Sequence, residues 1–109
     1  MSESNIYYPF KLWGHGEISG VLLTDMKWDS FEKLGYLGNG YDWARMLENL
    51  LEDIDSDLLK NLNFDPEADM FSASANNKDL LKQFSEIVAN FYDNTEMLEN
   101  YIEKYAKYE

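Results

Sequence analysis

The chain has no cysteine and only one histidine, His15, and these two gaps remove several classes of chemistry. Without cysteine there are no disulfides and no thiol nucleophile, a composition that suits a reducing compartment. A single histidine removes most histidine-based catalytic triads and zinc sites. Because His15 stands between two glycines at the tip of a predicted hairpin, an exposed turn residue is the favoured interpretation. We therefore expect neither a metal nor a cofactor.

Basic residues are also scarce. Nine Lys and Arg residues oppose 21 Asp and Glu residues, which gives a formal net charge of −12. The excess is uneven, because residues 1–41 carry a net −2 and residues 42–109 a net −10. Such a chain is repelled by nucleic acid and by anionic membranes, and it is attracted to a basic surface. The alternative is that the acidic residues only maintain solubility.

Targeting segments are missing too. The opening MSESN has no basic patch or apolar region typical of a signal peptide, and no apolar run is long enough to span a bilayer. With 45% hydrophobic and 16% aromatic residues, a chain of 109 residues can still bury a substantial core. We expect residues 1–109 to form one soluble, cytoplasmic domain, whose oligomeric state the sequence does not indicate.

The N-terminal part of the chain has the pattern of strands. Strands are predicted at 6–13 and 17–24, joined by the turn Gly14-His15-Gly16, and the segment 26–34 is a candidate third strand. Pro9 cannot donate a ladder hydrogen bond, so it places the first strand at an edge or at a bulge.

Helical periodicity begins at Asp42. A helix is predicted from 42 to about 60, with 55–57 as the place for a break, followed by a β-hairpin at 62–75. Two further helices are predicted at about 78–92 and 95–107, the second with Asn94 as its N-cap. This order predicts an α+β fold, in which an antiparallel sheet of N-terminal strands and the later hairpin packs against three helices.

The segment 35–43, GYLGNGYDW, holds three glycines and three aromatic residues directly before the 42–60 helix. A glycine-rich loop before a helix can bind phosphate, but such loops usually supply a lysine or a hydroxyl group. No lysine lies between Lys33 and Lys60, and Asp42 would repel a phosphate. We therefore expect a structural turn, in which Asn39-Gly40 supplies positive φ angles and Asp42 is the helix N-cap.

The sequence gives little support for a metal site or for a hydrolytic active site. Asp53, Asp55 and Asp57 have the spacing that opens a calcium loop, but Leu58 stands where that loop needs glycine and Phe64 where it needs glutamate. Paired carboxylates for hydrolysis remain open among 21 acidic residues, yet no nucleophile and base pair stands out. We expect a protein without enzymatic activity.

What remains is an acidic surface on the 42–60 helix. Glu48, Glu52 and Asp55 recur at i, i+4 and i+7, opposite an apolar face of Trp43, Leu47, Leu50 and Ile54. Like charges at this spacing destabilise a helix by a few tenths of a kcal/mol per pair, a cost that a cationic partner would relieve. An ordinary solvated face is the alternative. We take as candidate partner-binding residues, called the acidic set below, Glu48, Glu52, Asp53, Asp55 and Asp57.

A second candidate surface is a tyrosine stripe on the last helix. Tyr101, Tyr105 and Tyr108 share one side of it, next to Leu98 and Ile102. Tyrosines in such a place most often seal the edge of a core, although tyrosine is also favoured at interfaces.

Two separated motifs resemble one bacterial family. GYLGNGYDW, the leucine-rich acidic helix and NFDPEADMF are similar to the pattern of immunity protein family 51, in which a segment like GYEGNGYDW precedes an apolar helix and a hairpin like FDPEAGMF. The resemblance covers roughly residues 17–102. One departure is Asp69, where the family commonly has glycine, but Asp tolerates a left-handed backbone.

The resemblance implies a protein of polymorphic-toxin systems that binds and neutralises a toxin made by the same cell or its siblings, as in contact-dependent inhibition. It does not identify the toxin. The charge favours a basic toxin domain such as a nuclease, because a small acidic inhibitor is steered onto a cationic active site and blocks it. No direct contact with nucleic acid or membrane is expected. An acidic adaptor or nucleic-acid mimic without a toxin partner is the alternative, and a carboxylate hydrolase a more distant one.

Overall fold

The fold is α+β, with a four-stranded antiparallel sheet and five helices in the part of the chain that the computed structural model describes, residues 6–15 and 18–107. In chain order the elements are β1 (Phe10–His15), β2 (Ile18–Leu23), α1 (Trp28–Glu32), α2 (Gly40–Ile54), α3 (Ser56–Lys60), β3 (Asn63–Glu67), β4 (Met70–Ala75), α4 (Lys78–Tyr92) and α5 (Thr95–Tyr105). The predicted fold class is thus confirmed, with more helices than the three predicted. None of the described helices combines the length and apolar character that a bilayer-spanning segment needs.

The sheet consists of two hairpins joined side by side. Its strand order is β1-β2-β4-β3, so β1 pairs with β2, β3 pairs with β4, and the central pairing of β2 with β4 joins them. β1 begins directly after Pro9 and lies at an edge, as the proline predicts. Of the predicted turn between β1 and β2, Gly16 lies outside the described residues.

The two faces of the sheet differ in character. The inner face packs against the helices, with Phe10 and Phe71 buried against Phe84 of α4 at ring-centroid distances of 5.2 and 6.4 Å. Each such aromatic side chain contributes about 1.5–3 kcal/mol by its burial. Alternation along the strands sends the other residues to the opposite side, called the outer face below, which is formed by Lys11, Trp13, Gly20, Leu22, Ser72, Ser74, Asn63, Asp65 and Glu67.

The predicted third strand is wrong, because residues 28–32 form helix α1 instead. Lys27 has φ 53°, a left-handed conformation that turns the chain immediately before the helix. Only Phe31 of α1 is buried, so this helix attaches to the core through a single side chain. The sheet takes its third and fourth strands from the later hairpin.

The predicted 42–60 helix is broken, at the place the sequence indicated. Asp55 has φ −163° and ψ 74°, so α2 ends at Ile54, and the Asp55 carboxylate caps α3 by accepting a hydrogen bond from the Leu58 N–H (3.1 Å). Trp43, Leu47 and Leu50 are buried as predicted. The inclusion of Ile54 in that apolar face is wrong: it is 54% exposed.

The turn before α2 is structural, but the N-cap and the positive φ angles belong to other residues than those predicted. The N-cap is Asn39, whose side chain accepts a hydrogen bond from the Asp42 N–H (2.8 Å), so the prediction that Asp42 is the cap is wrong. The positive φ angles belong to Gly35 (89°) and Gly38 (81°), not to Asn39-Gly40. Asp42 instead lies in the first turn, and it is 1% exposed.

The buried Asp42 carboxylate joins the turn to the end of the chain. It accepts a hydrogen bond from the Gly38 N–H (2.7 Å) and forms an ion pair with Arg45. The Arg45 Nε donates in turn to the carbonyl oxygen of Ala106 (2.6 Å), and Asn49 Nδ2 donates to that of Tyr105 (2.8 Å). Side chains of α2 thus satisfy carbonyl groups that the end of α5 leaves open.

Gly40 brings the two sequence motifs into contact. A Cβ atom at this position would lie 2.0 Å from the Met70 carbonyl oxygen and 2.3 Å from that of Glu67, at the turn of the β3–β4 hairpin. Only glycine permits so close an approach of two backbones. The start of α2 and the hairpin are therefore fixed against each other without an intervening side chain.

The two last helices follow the prediction closely. The Asn94 side chain caps α5 by accepting a hydrogen bond from the Met97 N–H (3.1 Å), which confirms the predicted N-cap. Asn77 is the N-cap of α4, and its side chain accepts a hydrogen bond from the Asp79 N–H (2.7 Å). Because these caps satisfy donors at each helix start, the break between α4 and α5 is set locally.

Candidate protein-binding surface

Glu48 and Glu52 form the central part of the acidic set. Both lie on the exposed side of α2, one helical turn apart, while the other side of the helix is buried in the core. Neither carboxylate forms an ion pair with any of residues 6–15 or 18–107. Both carboxylates are therefore presented to solvent without a direct ion pair.

A groove runs beside these two carboxylates, between α2, α3 and β3. It has a volume of about 500 Å³, and its apolar part is formed by Leu59, Leu62 and Phe64. Glu48 and Glu52 border the same groove. A side chain with an apolar stem and a cationic head, such as lysine or arginine, matches this combination.

Asp53 faces a different direction from Glu48. Its Oδ2 accepts a hydrogen bond from the Tyr105 hydroxyl (2.7 Å), which raises the pKa of Tyr105 above its usual value. Lys104 and Lys107 line the same depression as Asp53 and Glu52. The charge of Asp53 is thus partly engaged within the protein.

The helix break separates Asp55 from the rest of the acidic set. Asp55 borders a groove of about 370 Å³ between α2, α4 and α5, together with Ile54, Glu86 and Tyr101. One of its oxygen atoms caps α3. Asp57 is exposed in the first turn of α3. In the structure Glu48 and Glu52 therefore lie together with Asp53 beside them, whereas Asp55 lies on another surface.

The tyrosine stripe packs mainly inward. Tyr105 is 8% exposed, and the half-buried Tyr101 contacts Phe91 with a ring-centroid distance of 4.7 Å. Tyr108 lies outside the described residues. These contacts fit the interpretation that the tyrosines seal the edge of the core.

The described residues contain no cluster of metal ligands, and the buried Tyr92 among them has a shifted pKa. Within residues 6–15 and 18–107, no three His, Cys, Asp or Glu side chains are grouped so that they could hold a metal ion. Tyr92 has a raised pKa, mainly because it is buried, and its hydroxyl donates to the Asp25 carbonyl group. That hydrogen bond gives Tyr92 a structural role.

The outer face of the sheet holds a feature that sequence reasoning missed. The Trp13 indole lies over Gly20, where a Cβ atom would stand 2.2 Å from its Cζ2. Its Nε1–H donates to the Ser72 Oγ (3.3 Å), and Trp13 is 39% exposed. The alternation of Lys11 and Trp13 signals an outward face, but the pairing with Gly20 and Ser72 depends on the sheet register.

Comparison with known protein families identifies the chain's relatives. The family model described as immunity protein 51 matches residues 14–107, which is nearly the whole chain. Neither the curated proteins nor the solved structures contain a significant match.

Proposed function

The chain belongs to the immunity protein 51 family, and we propose that it binds and neutralises a cognate bacterial toxin domain by covering a basic surface of that domain. The partner would be a cationic domain such as a nuclease, and its active site would be blocked by occlusion. Inhibition of this kind needs no chemistry from the inhibitor, because a bound protein excludes the substrate. The cytoplasm is the compartment in which such a toxin would have to be neutralised.

The observation that carries this proposal is the exposed acidic side of α2. Glu48 and Glu52 repel each other at i, i+4, and neither forms an ion pair with the described residues, although Lys104 and Lys107 line the depression beside Glu52. The neighbouring groove supplies apolar contact from Leu59, Leu62 and Phe64. A toxin lysine or arginine that enters this groove gains both a charge partner and contact for its stem.

Long-range attraction supports the same proposal. The net charge of −12 gives the protein a strong negative field, and 10 of these charges belong to residues 42–109, which include α2. Such a field raises the association rate with a cationic partner, and the local contacts then determine the dissociation rate. Asp53 and Asp57 would contribute mainly to the field, whereas Glu48 and Glu52 would contact the toxin directly.

The first experiment is co-expression with the product of the adjacent upstream gene. An immunity protein should restore the growth of cells that produce this toxin, and the two purified proteins should form a stable complex. Failure to protect or to bind would contradict the proposal and favour an acidic adaptor without a toxin partner.

The second experiment tests the surface. The double change Glu48→Gln and Glu52→Gln removes the two charges that border the groove, keeps the side-chain shapes, and leaves the Asp55 cap at the start of α3 in place. We expect toxin affinity to fall at least about tenfold, roughly 1.4 kcal/mol, with an unchanged fold. The control is the double change Glu32→Gln and Glu96→Gln, at exposed positions of α1 and α5.

Affinities measured by titration calorimetry separate the outcomes. If the control and the Glu48/Glu52 variant lose affinity equally, only the overall negative charge matters and the groove is not the contact. If the folded Glu48/Glu52 variant binds as tightly as the original protein, the toxin contacts another surface.

A further inference from the structure

We propose that the outer face of the sheet, centred on Trp13, is a second part of the toxin-binding surface and binds an arginine side chain of the toxin. This inference rests on the proposed function, because it names another contact for the same partner.

The Trp13 indole is held in place before any partner arrives. Its ring lies against Gly20, where a Cβ atom would come within 2.2 Å of Cζ2 and 2.3 Å of Cε2. Its Nε1–H donates to Ser72 across the intervening strand β2 (3.3 Å). One side of the indole is thus against the sheet, and the side chain is fixed at two points. A tryptophan fixed in this way loses little conformational entropy when a partner binds.

The exposed surface of Trp13 is suited to a cation. Because its N–H group is already bonded to Ser72, what the indole offers to a partner is its π surface. Arginine stacks on such a surface and retains N–H groups that can bind nearby acceptors. Arginine therefore matches this site better than any other natural side chain, because it can stack on the indole and still donate hydrogen bonds to nearby acceptors.

An acceptor for that arginine, Asp65, lies on β3. Asp65 is directly opposite Ser72 in the β3–β4 pairing, one strand spacing or about 5 Å away. Asp65 and Glu67 are both exposed, and neither forms an ion pair with the described residues. A guanidinium group over Trp13 can thus reach a carboxylate on the same face.

Charge also argues against the other possible occupants of this face. A second copy of the chain would bring another net charge of −12, and nucleic acid would bring its phosphates. A basic protein domain avoids both repulsions, and on the outer face itself Asp65 and Glu67 outnumber the one lysine, Lys11.

The outer face and the groove beside α2 share strand β3 as their border. Phe64 of this strand faces the groove with Glu48 and Glu52, whereas Asp65 belongs to the outer face. A partner that reaches over β3 therefore contacts both surfaces at once. This arrangement enlarges the contact beyond what one groove provides.

The test measures binding of the purified toxin domain from the adjacent upstream gene, inactivated at its catalytic site. Trp13→Leu should weaken affinity at least about tenfold, because exposed aromatic anchors often dominate an interface. Trp28→Leu is the matched control, since Trp28 is exposed to a similar degree (38%, against 39% for Trp13) but lies on α1. The control should change affinity by less than about twofold.

Two further variants guard against a simple folding defect. Gly20→Ala retains the tryptophan but displaces its ring, so it should weaken binding in the same direction as Trp13→Leu. The pair Asp65→Asn and Glu67→Gln removes charge at exposed positions and should also weaken binding. The Glu32 and Glu96 double variant is the charge control. Circular dichroism confirms the fold of each variant.

The outcomes distinguish this inference from the proposed function. If the unaltered protein does not bind the toxin, both are overturned. If the α2 charge variant loses affinity while the Trp13, Gly20 and Asp65 variants retain it, only the inference is overturned. The same conclusion follows if light scattering shows that these variants change self-association and leave toxin affinity intact.

Discussion

Replacement of Asp42 should be far more destabilising than replacement of an ordinary helix cap. The side chain of Asp42 is 2% exposed, binds the Gly38 N–H and pairs with Arg45. Asp42→Ala removes a charged acceptor from a buried N–H group and takes the Asp42 carboxylate away from the Arg45 guanidinium. The variant should therefore weaken the turn before α2, while Arg45 retains its hydrogen bond to Ala106.

The magnitude follows from the burial of the pair. Breaking a buried ion pair from one side typically costs about 3–5 kcal/mol, and a hydrogen bond to a charged group contributes about 1.5–3 kcal/mol. Because the Arg45 side chain is 21% exposed and keeps its bond to Ala106, we expect the low end, about 3 kcal/mol. Asn39→Ala, which removes the actual cap, should cost only about 1 kcal/mol.

Urea unfolding followed by circular dichroism measures this difference. With an m value of about 1.5 kcal/mol/M, Asp42→Ala should lower the midpoint by about 2 M and Asn39→Ala by less than 1 M. A cycle with Arg45→Met and the double variant should give a coupling energy above about 1 kcal/mol. Equal costs for Asp42→Ala and Asn39→Ala, or additive effects in the cycle, would refute the reasoning.

Three further outcomes are expected. In urea unfolding, Gly40→Ala should destabilise the fold by more than about 2 kcal/mol, because the added Cβ would overlap the carbonyl oxygens of Met70 and Glu67. A neutral effect would mean that the hairpin can move away from α2. The hydrogen bond to Asp53 raises the pKa of Tyr105 from 10.0, so its contribution to stability should be complete below pH 10 and decline as the pH rises above 10. Tyr105→Phe should make unfolding midpoints less dependent on pH in that range, and an unchanged dependence would contradict this assignment. The association rate with the toxin should fall steeply with ionic strength while the dissociation rate changes little, and a salt-independent association rate would indicate an apolar interface.

Local signals predicted most of the fold. Asn94 is a capping residue at the start of a periodic segment, and Pro9 marks an edge strand, so both could be interpreted without knowledge of distant contacts. The prediction of a strand at 26–34 is wrong even though Trp28, Phe31 and Leu34 recur every three residues, a spacing closer to that of a helix. The left-handed Lys27 and the single buried side chain of Phe31 show that tertiary attachment decides its conformation.

The candidate site depended on where helix α2 begins and ends. Asp42 resembles a cap in the sequence, but Asn39 caps the helix, so Asp42 lies in the first turn and binds Gly38 and Arg45 instead. The spacing of Glu48, Glu52 and Asp55 predicts one stripe, but it holds only while the helix continues, and the helix ends at Ile54.

The outer face could not be predicted because its contacts join distant parts of the chain. The position of the Trp13 ring over Gly20 and beside Ser72 depends on the register of three strands. Register is set by the pattern of the whole sheet and not by the residues next to Trp13. No local motif therefore marks this surface.

The central pairing of β2 with β4 has a consequence for how the protein folds. Each hairpin closes between neighbouring segments, but the β2–β4 pairing joins parts of the chain that α1, α2, α3 and β3 separate. Contacts between such distant segments form late in folding, because closing the long loop between them costs conformational entropy. Trp13 comes from one hairpin, whereas Ser72 and Asp65 come from the other. A chain with only its hairpins formed therefore lacks the outer face, and this surface exists only once the whole sheet has assembled.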